Sequence, residues 1–331
     1  MRVGLDTSPL AMTQAGTARW LRGLQGALDA RDDVEVVPLA WGGSHRLVAV
    51  ARDLAWYPWL LPRAARAARA DVLHCAIFRG PRRSRVPVVL TVHDLAPLRH
   101  PEAFPAWTRL YAATRLRGTV RAARRVAAVS EFSRRETAEL CGVDPARIDV
   151  VPNGVDQLFV PDGPAAEGDY ALAVGTLEPR KNLPRAVEAA RLAGVELRIV
   201  GAAGWGGVGR RLSAPSIRWL GRVPDEELAA LYRGARCLVY PSLYEGFGIP
   251  VAEAMACGTP VVTSRDSAMA DVAGDAAVLV DPLDAGSIAA GIGEAGRRRG
   301  ELRALGLERA RRYTWEHAAA AAVDCYRRAL A

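Results

Sequence analysis

Residues 240–263, Tyr-Pro-Ser-Leu-Tyr-Glu-Gly-Phe-Gly-Ile-Pro-Val-Ala-Glu-Ala-Met-Ala-Cys-Gly-Thr-Pro-Val-Val-Thr, decide the fold of this chain. Their pattern predicts a strand, a glycine-rich loop, a short helix and a second strand. Pro250 suits the first helical position, where its missing N–H costs nothing, and Gly258 suits the left-handed C-terminal cap. The predicted helix therefore begins and ends at defined residues.

The loop before this helix, Gly246-Phe247-Gly248-Ile249, is a candidate anion site. Unpaired amide N–H groups and the positive end of the helix dipole favour a phosphate there. Glu245 precedes the loop, and Glu253 follows in the helix. Carboxylates repel phosphate but accept hydrogen bonds from neutral hydroxyls. The pattern therefore fits a nucleotide diphosphate sugar, whose diphosphate lies between two polyols, the ribose and a second sugar.

The chain contains a single lysine, Lys181, among 44 basic residues. It follows Arg180 in a turn between the apolar run 170–174 and a predicted helix at 183–193. Ligands of open α/β sheets bind at such strand-to-helix turns. A compact ammonium differs chemically from the planar guanidinium that the chain uses everywhere else. We therefore expect Arg180 and Lys181 to neutralise the diphosphate.

Several motifs resemble the retaining glycosyltransferases of family 4, also called glycosyl transferases group 1, including their mannosyltransferases. They are Glu245-x7-Glu253, Glu-Pro-Arg-Lys-Asn at 178–182 and Val-Pro-Asn-Gly-Val-Asp at 151–156. Weaker matches in family order occur at 1–5, 14–20, 71–74, 91–95, 129–133 and 313–316. The resemblance implies an α/β chain with the GT-B fold, in which two Rossmann-like parallel-sheet domains face each other across a cleft. A C-terminal helix would cross back to the first domain.

The resemblance also implies a reaction, the transfer of a hexosyl group from a nucleotide diphosphate sugar to a hydroxyl of a glycan or lipid-linked acceptor, with mannosyl favoured and the α configuration kept. The implied catalytic residues are His93, Arg180, Lys181 and Glu245. His93 would contact the outer hydroxyls of the donor sugar or help to position the acceptor. The implied donor-binding residues are Gly16, Thr176, Val223, Gly246, Phe247, Gly248, Ile249 and Glu253.

Two positions depart from the family pattern. Thr176-Leu177 stands where some members have a further arginine, so diphosphate binding depends more heavily on Arg180 and Lys181. Ala18 replaces the second glycine of the N-terminal loop, which works through backbone N–H groups.

The length of 331 residues predicts two domains at about 150 residues each. Turn-forming residues cluster at 161–169, which places the boundaries at 1–163, 164–312 and a C-terminal helix from 313. Predicted strands lie at 2–5, 34–38, 72–74, 88–92, 125–129, 170–174, 197–200, 217–220, 237–240, 261–263 and 277–280.

Composition excludes several classes of protein. No apolar run reaches about 18 residues, so we expect a cytoplasmic protein without a membrane-spanning helix. Five cysteines without Cys-x-x-Cys spacing argue for reduced thiols and against a zinc site. Because no Asp-x-Asp occurs, no metal site is expected, and the donor is a co-substrate with no separate cofactor.

Positive charge is concentrated in the N-terminal half. Residues 1–165 carry 23 basic and 16 acidic residues, or +7 of the total +8. Seven arginines lie between residues 63 and 85, where Asp71 is the one acidic residue, and the aromatic run at 54–61 comes just before them. Contact with an anionic membrane surface or a lipid-linked acceptor and a packed loop with solvated arginines explain this pattern equally well. Nucleic acid is not expected as a partner, because no recognised module accompanies the basic stretch.

Two further functions fit the sequence. A catalytically silent GT-B protein would bind a nucleotide sugar as a sensor or scaffold. A nucleotide-sugar epimerase would convert the donor without an acceptor. Donor turnover, with and without an acceptor, separates all three.

Overall fold

The computed structural model describes residues 1–12, 16–43, 45–104, 106–204 and 216–331. The chain divides into two compact units. The N-terminal unit comprises Met1–Gly154 together with Trp315–Ala331, and the C-terminal unit comprises Val155–Thr314.

The N-terminal unit is built on a six-stranded parallel sheet with the order β2-β1-β3-β4-β5-β6. Short apolar runs rich in valine and leucine form its central strands because both faces of the sheet are covered by helices. The strands are β1 Arg2–Asp6, β2 Glu35–Leu39, β3 Val72–Cys75, β4 Val88–Val92, β5 Arg125–Ala128 and β6 Ile148–Val150.

Eight α-helices are described in this unit, with π-helical stretches at Arg52–Leu60 and Ala112–Leu116. They are α1 Gly16–Asp29, α2 Arg46–Ala51, α3 Leu61–Ala67, α4 Ala96–Arg99, α5 Ala106–Tyr111, α6 Arg117–Ala122, α7 Glu131–Cys141 and α14 Trp315–Leu330.

The C-terminal unit has a second six-stranded parallel sheet, in the order β12-β11-β10-β7-β8-β9. Its strands are β7 Tyr170–Val174, β8 Glu196–Val200, β9 Ile217–Gly221, β10 Cys237–Tyr240, β11 Val261–Ser264 and β12 Ala277–Val280. Its helices are α8 Leu183–Leu192, α9 Asp225–Gly234, α10 Ile249–Ala256, α11 Ala268–Ala273, α12 Ala285–Arg297 and α13 Arg299–Ala310.

All eleven strands expected from the sequence are present, and β6 is the one that the sequence pattern missed. β6 has three residues, Ile-Asp-Val, which is too short for an alternating pattern to be visible. The predicted α/β architecture with two parallel sheets is confirmed.

The last helix belongs to the N-terminal unit, as expected from the resemblance. Buried residues of α14 share a core with β1 and α1, including Val3, Leu24 and Tyr326. The ring of Trp315 occupies the space where a β-carbon on Gly23 or Gly154 would lie. The two units divide at Gly154/Val155, whereas the turn-forming residues suggested 163/164, because residues 155–163 join the C-terminal unit through contacts such as Val155 N with Tyr313 O.

The five cysteines are free and buried, as expected. Among the described residues, no helix is both long and apolar enough to cross a bilayer.

Candidate active site

The strand order of the C-terminal sheet marks one of its edges as a candidate ligand site. Counted from β7, the order is 3-2-1-4-5-6, so the direction of winding reverses between β7 and β10. In open α/β sheets, ligands bind beyond the carboxyl ends of the strands at this reversal. Arg180 and Lys181 follow β7, and Glu245 follows β10, so the topology brings these three residues to one edge of the sheet.

Lys181 lies at the centre of this group. Its Nζ donates hydrogen bonds to Glu245 Oε1 at 2.6 Å and to the Tyr240 hydroxyl at 2.5 Å. The ammonium also lies 4.9 Å from the centre of the Tyr240 ring, a cation–π distance. Its methylene stem runs over Gly175, whose φ is +146° and where a β-carbon would lie 3.2 Å from Cε. Gly175 therefore makes room for the lysine to reach the carboxylate.

Arg180 completes a network of four charges. Its Nη1 lies 2.7 Å from Glu245 Oε2, and its Nη2 lies 2.7 Å from Glu178 Oε1. Nη1 also donates to the backbone carbonyl of Tyr244 at 3.1 Å. Two cations and two carboxylates thus hold each other in place, and the formal charge of this group is zero.

The pKa values reflect this pairing. Burial alone would raise the pKa of Glu245, but the charges of Lys181 and Arg180 outweigh burial and lower it to about 2. A hydrogen bond from the Ser242 hydroxyl, 2.7 Å from Glu245 Oε1, adds to this lowering. Burial lowers the pKa of Lys181, and Glu245 opposes that effect. Burial and the neighbouring Glu245 raise the pKa of Tyr240 well above its usual value, so its hydroxyl stays protonated.

The glycine-rich loop lies directly before α10, as the sequence predicted. Gly248 has φ +94° directly before α10, in the left-handed region that favours glycine. A β-carbon there would lie 2.7 Å from the Met269 side chain. Gly246 is buried, Ile249 is half-buried and opens α10, and the ring of Phe247 packs edge-on against Tyr313 at 5.3 Å. The loop is therefore held by packing in front of a helix N-terminus.

Glu253 is buried in α10, with 2% of its surface exposed. Its Oε2 accepts a hydrogen bond from the Tyr232 hydroxyl at 2.9 Å. Tyr232 lies on α9 and carried no signal in the sequence, because a lone tyrosine in an amphipathic helix is typical of a core residue.

The remaining donor-binding candidates of this unit lie on neighbouring turns. Thr176 follows β7 and Val223 follows β9, and both are half-buried. The turns after β7 and β8 contact each other closely, since a β-carbon on Gly201 would lie 1.9 Å from the carbonyl oxygen of Gly175. Trp205 and Gly206, the end of the glycine-rich run that begins at Val200, lie outside the described residues.

His93 lies in the N-terminal unit, just after β4. Its Nε2 lies 3.0 Å from the Ala76 carbonyl, which can only accept, so Nε2 carries the proton and Nδ1 a lone pair. Burial lowers its pKa, which favours the neutral ring. The indole of Trp20 packs edge-on against the ring at 4.6 Å. Gly16 is the first residue of α1, and the three residues before it, 13–15, lie outside the described residues.

The sequence missed some partners of the predicted residues. Glu178 and Ser242 stand inside the quoted motifs, but their contacts with Arg180 and Glu245 depend on how two separate turns meet. Trp20, which orients His93, lies 73 positions away in the chain, and only the fold brings the two together.

Comparison with known proteins shows the family to which this chain belongs. Residues 16–157 match Glycosyltransferase Family 4, and residues 156–311 match Glycosyl transferases group 1. The O-antigen chain mannosyltransferase B of Escherichia coli is 31% identical, and the alignment covers 99% of this chain and 100% of that protein. The chain belongs to glycosyltransferase family 4. It is a glycosyltransferase with the GT-B fold and is similar to mannosyltransferases of the family.

A second relative is the MMP α-(1→4)-mannosyltransferase of Mycolicibacterium hassiacum, which is 35% identical over 74% of this chain and 66% of its own length. Solved structures with the same fold include sucrose-phosphate synthase from Thermosynechococcus elongatus, with a TM-score of 0.76, 21% identity and coverage of 99% of this chain and 98% of that one. Anabaena HepE in complex with UDP and glucose has a TM-score of 0.73 at 18% identity, covering 98% of each chain.

Proposed function

We propose that this glycosyltransferase moves a hexosyl group, with mannosyl favoured, from a nucleotide diphosphate sugar to a hydroxyl of a glycan or lipid-linked acceptor, and that the product keeps the α configuration. One observation carries the proposal. Arg180, Lys181 and Glu245 meet at the winding reversal of the C-terminal sheet, where open α/β sheets bind their ligands.

The charge network suggests how the leaving group is stabilised. Breaking the anomeric bond develops negative charge on the diphosphate, and groups held in place beforehand stabilise that charge without reorganising. Glu245 pairs with both cations, with Lys181 Nζ at 2.6 Å and Arg180 Nη1 at 2.7 Å. The diphosphate would share Arg180 and Lys181 with Glu245, while amide groups at the start of α10 would bind phosphate oxygens.

The other roles follow the resemblance and remain part of the proposal. Glu253 would accept hydrogen bonds from the ribose, and Glu245 with the backbone of the loop at 246–249 would bind the transferred sugar. Val223 would border the base. Gly16 and Thr176 would contact the diphosphate through backbone groups, and His93 would contact the sugar or position the acceptor.

The names of the relatives favour mannose as the transferred sugar. Three of them, from Escherichia coli, Mycolicibacterium hassiacum and Salmonella typhimurium, are mannosyltransferases. We therefore favour GDP-mannose as donor and polysaccharide biosynthesis as the role. UDP-glucose and UDP-N-acetylglucosamine are the alternatives to test beside it.

Calorimetric titration with GDP, UDP and ADP tests the donor directly. GDP is expected to bind, and Lys181→Ala is expected to weaken that binding. Turnover of GDP-mannose only in the presence of an acceptor supports the transferase. Donor conversion without an acceptor would indicate the epimerase, and tight binding without any turnover would indicate the silent sensor.

We also propose that the reaction needs no metal ion and no cofactor beyond the donor. Among the described residues, no group of three or more histidine, cysteine or acidic side chains is arranged to hold a metal. Arginine, lysine and a helix N-terminus can neutralise a diphosphate by themselves. Treatment with EDTA is expected to leave donor turnover unchanged. Strict dependence on added manganese or magnesium would contradict this proposal.

We place the enzyme in the cytoplasm, at the inner face of the membrane, with no nucleic-acid partner. The concentration of arginine in the N-terminal half supports this placement.

A further inference from the structure

A pocket of about 650 Å³ opens in the N-terminal unit, and arginine dominates its lining. Three parts of the chain form it: the helical region from Arg52 to Ala67, the loop between β3 and β4, and the helical region from Ala106 to Ala122. We call it the arginine pocket. Its lining includes Arg63, Arg66, Arg82, Arg83, Arg85 and Arg115, which are all exposed.

These six arginines have no acidic partner within the described part of the chain. The sequence explains why. Three stretches of the sequence contain thirteen arginines and no aspartate or glutamate. They are residues 54–70, 72–93 and 103–130. Repulsion among like charges around a concave surface favours a bound anion. The positive charge of the pocket therefore favours an anionic ligand.

The one carboxylate in the lining is already neutralised. Asp53 Oδ1 lies 2.8 Å from Arg79 Nε, and Asp53 Oδ2 accepts a hydrogen bond from Trp107 Nε1 at 2.8 Å. Asp53 is buried, with 6% of its surface exposed. Its charge and hydrogen bonds are used by Arg79 and Trp107, so it does not offset the exposed arginines.

The lining also offers apolar and unsatisfied polar surface. Trp59 is 62% exposed, which is unusual for a tryptophan, and it lines the pocket beside Pro58 and Pro62. Tyr57 lines it as well, and its buried hydroxyl has no hydrogen-bond partner among the described residues. A hydroxyl of this kind is ready to donate to an anionic oxygen.

This combination defines the chemistry of the occupant. Guanidinium groups bind phosphate oxygens in a bidentate manner, and exposed tryptophan favours the boundary between lipid head groups and acyl chains. We propose that the arginine pocket binds the phosphate-ester head group of an anionic membrane lipid and docks the enzyme on the bilayer. The inference deepens the membrane placement in the proposed function and rests on it.

The structure changes which residues carry this contact. Within the aromatic run at 54–61, Trp56 is only 6% exposed and its Nε1 donates to Asp6 Oδ1 at 3.4 Å, whereas Trp59 is 62% exposed. Trp59 takes its place. Arg83 and Arg85 belong to the arginine-rich stretch at 63–85 that the sequence indicated, whereas the distant Arg115 joins the surface only through the fold.

Co-sedimentation with vesicles tests the proposal on the full-length protein. Binding to phosphatidylglycerol and phosphatidylcholine mixtures is expected, with little binding to phosphatidylcholine alone and weaker binding at high salt. The triple variant Arg66→Gln, Arg83→Gln, Arg85→Gln is expected to lose about a hundredfold in apparent affinity. Arg82 is left unchanged because its guanidinium packs against Gly118 in α6.

The matched control removes the same charge from the other unit. Arg191, Arg297 and Arg312 are exposed arginines of the C-terminal unit, and their replacement by Gln is expected to change vesicle affinity only slightly. An equal loss in the control would show attraction through overall charge and would overturn the pocket. In the same way Trp59→Ala should weaken binding, while Trp219→Ala, at a residue that is 47% exposed in the C-terminal unit, should not.

Direct binding measurements distinguish a membrane lipid from other classes of anionic ligand. Binding of inorganic pyrophosphate without vesicle binding would assign the pocket to a soluble phosphate compound. Binding of single-stranded RNA through the same three arginines, again without vesicles, would assign it to nucleic acid. Either result overturns the proposal. GDP titration into the triple variant is expected to match the parent, so failure of membrane docking is distinguishable from failure of the proposed donor chemistry.

Discussion

Lys181 lies at the centre of the candidate site. It is the chain's only lysine, and its ammonium fits between Glu245 Oε1 and the Tyr240 hydroxyl at 2.6 and 2.5 Å. Lys181→Ala is expected to keep the fold and to lower the rate of sugar transfer by about a hundredfold or more, the loss seen when one preorganised charge-stabilising group is removed. Steady-state kinetics, with circular dichroism to check folding, measures this. Unimpaired transfer would remove Lys181 from the site.

Lys181→Arg separates charge from shape. The planar guanidinium keeps the charge but needs more room beside Gly175, where a β-carbon would already lie only 3.2 Å from Lys181 Cε. We expect a rate well below that of the parent. A rate near that of the parent would show that charge alone is sufficient.

The ion pairs of Glu245 predict a pH effect on stability. The pKa of Glu245 is lowered from 4.5 to about 2, so the ionised form stabilises the fold fully above pH 4.5 and this stabilisation is lost as pH falls toward 2. The total effect is about 3 kcal/mol. Urea unfolding at pH 7, 4 and 3 should therefore show the difference between the parent and Glu245→Gln shrinking in acid. Glu308→Gln, at a surface ion pair, is the control and should show little difference at any pH.

At the level of helices and strands, the sequence predicted most of the site because the decisive turns are local. Pro250, Gly248 and Gly258 mark the loop and both ends of α10 by backbone preferences that act within a few residues. The neutral network around Glu245 could not be predicted in the same way. It depends on β7 and β10 lying side by side although 59 positions or more separate the residues of the two turns that contact each other.

The docking of α14 on its unit is a second feature of this scale. His74 at the end of β3 bridges the sheet and the helix, since Nε2 lies 2.7 Å from Thr91 Oγ1 and Nδ1 lies 2.7 Å from the Tyr326 hydroxyl. Because a hydroxyl can donate or accept, a neutral ring satisfies both nitrogens, one donating and the other accepting, and burial favours this neutral form by lowering the pKa. The neutral ring therefore ties α14 to the strands beneath it.

Acid is expected to weaken this contact. Burial, with a smaller effect from His93, lowers the pKa of His74 from 6.5 to about 3. The neutral ring thus stabilises the fold above pH 6.5, and the stabilisation is lost as pH falls toward 3, by about 2 kcal/mol between pH 6.5 and 4.5. Chemical denaturation across that range should show a steeper loss in the parent than in His74→Gln. The exposed His317→Gln should follow the parent, and identical slopes in all three proteins would contradict the assignment.

At the scale of the whole molecule, both units are built on a six-stranded parallel sheet whose winding direction reverses once, but the strand orders differ. The N-terminal sheet reverses its winding between β1 and β3, and the C-terminal sheet between β7 and β10. Alternating apolar runs and helices predicted both sheets, but the order of strands within a sheet depends on long-range pairing that periodicity does not encode. The division into units differed for the same reason, because residues 155–163 were assigned by composition while contacts decide their place.

The stereochemical course of the transfer is the last prediction, and it concerns the reaction as a whole. If the departing diphosphate leaves and receives the acceptor proton on one face, an α-linked donor gives an α-linked product without a general base on the other face. Proton NMR of the first product, recorded before mutarotation, reads the anomeric configuration directly. A β-linked product would require such a base, either the unprotonated Nδ1 of His93 or Asp94, whose Oδ1 now accepts the Ala96 amide at 3.0 Å. Replacing whichever of the two is the base, by His93→Ala or Asp94→Asn, would then abolish transfer, whereas the retaining reaction predicts that Asp94→Asn leaves most of the activity.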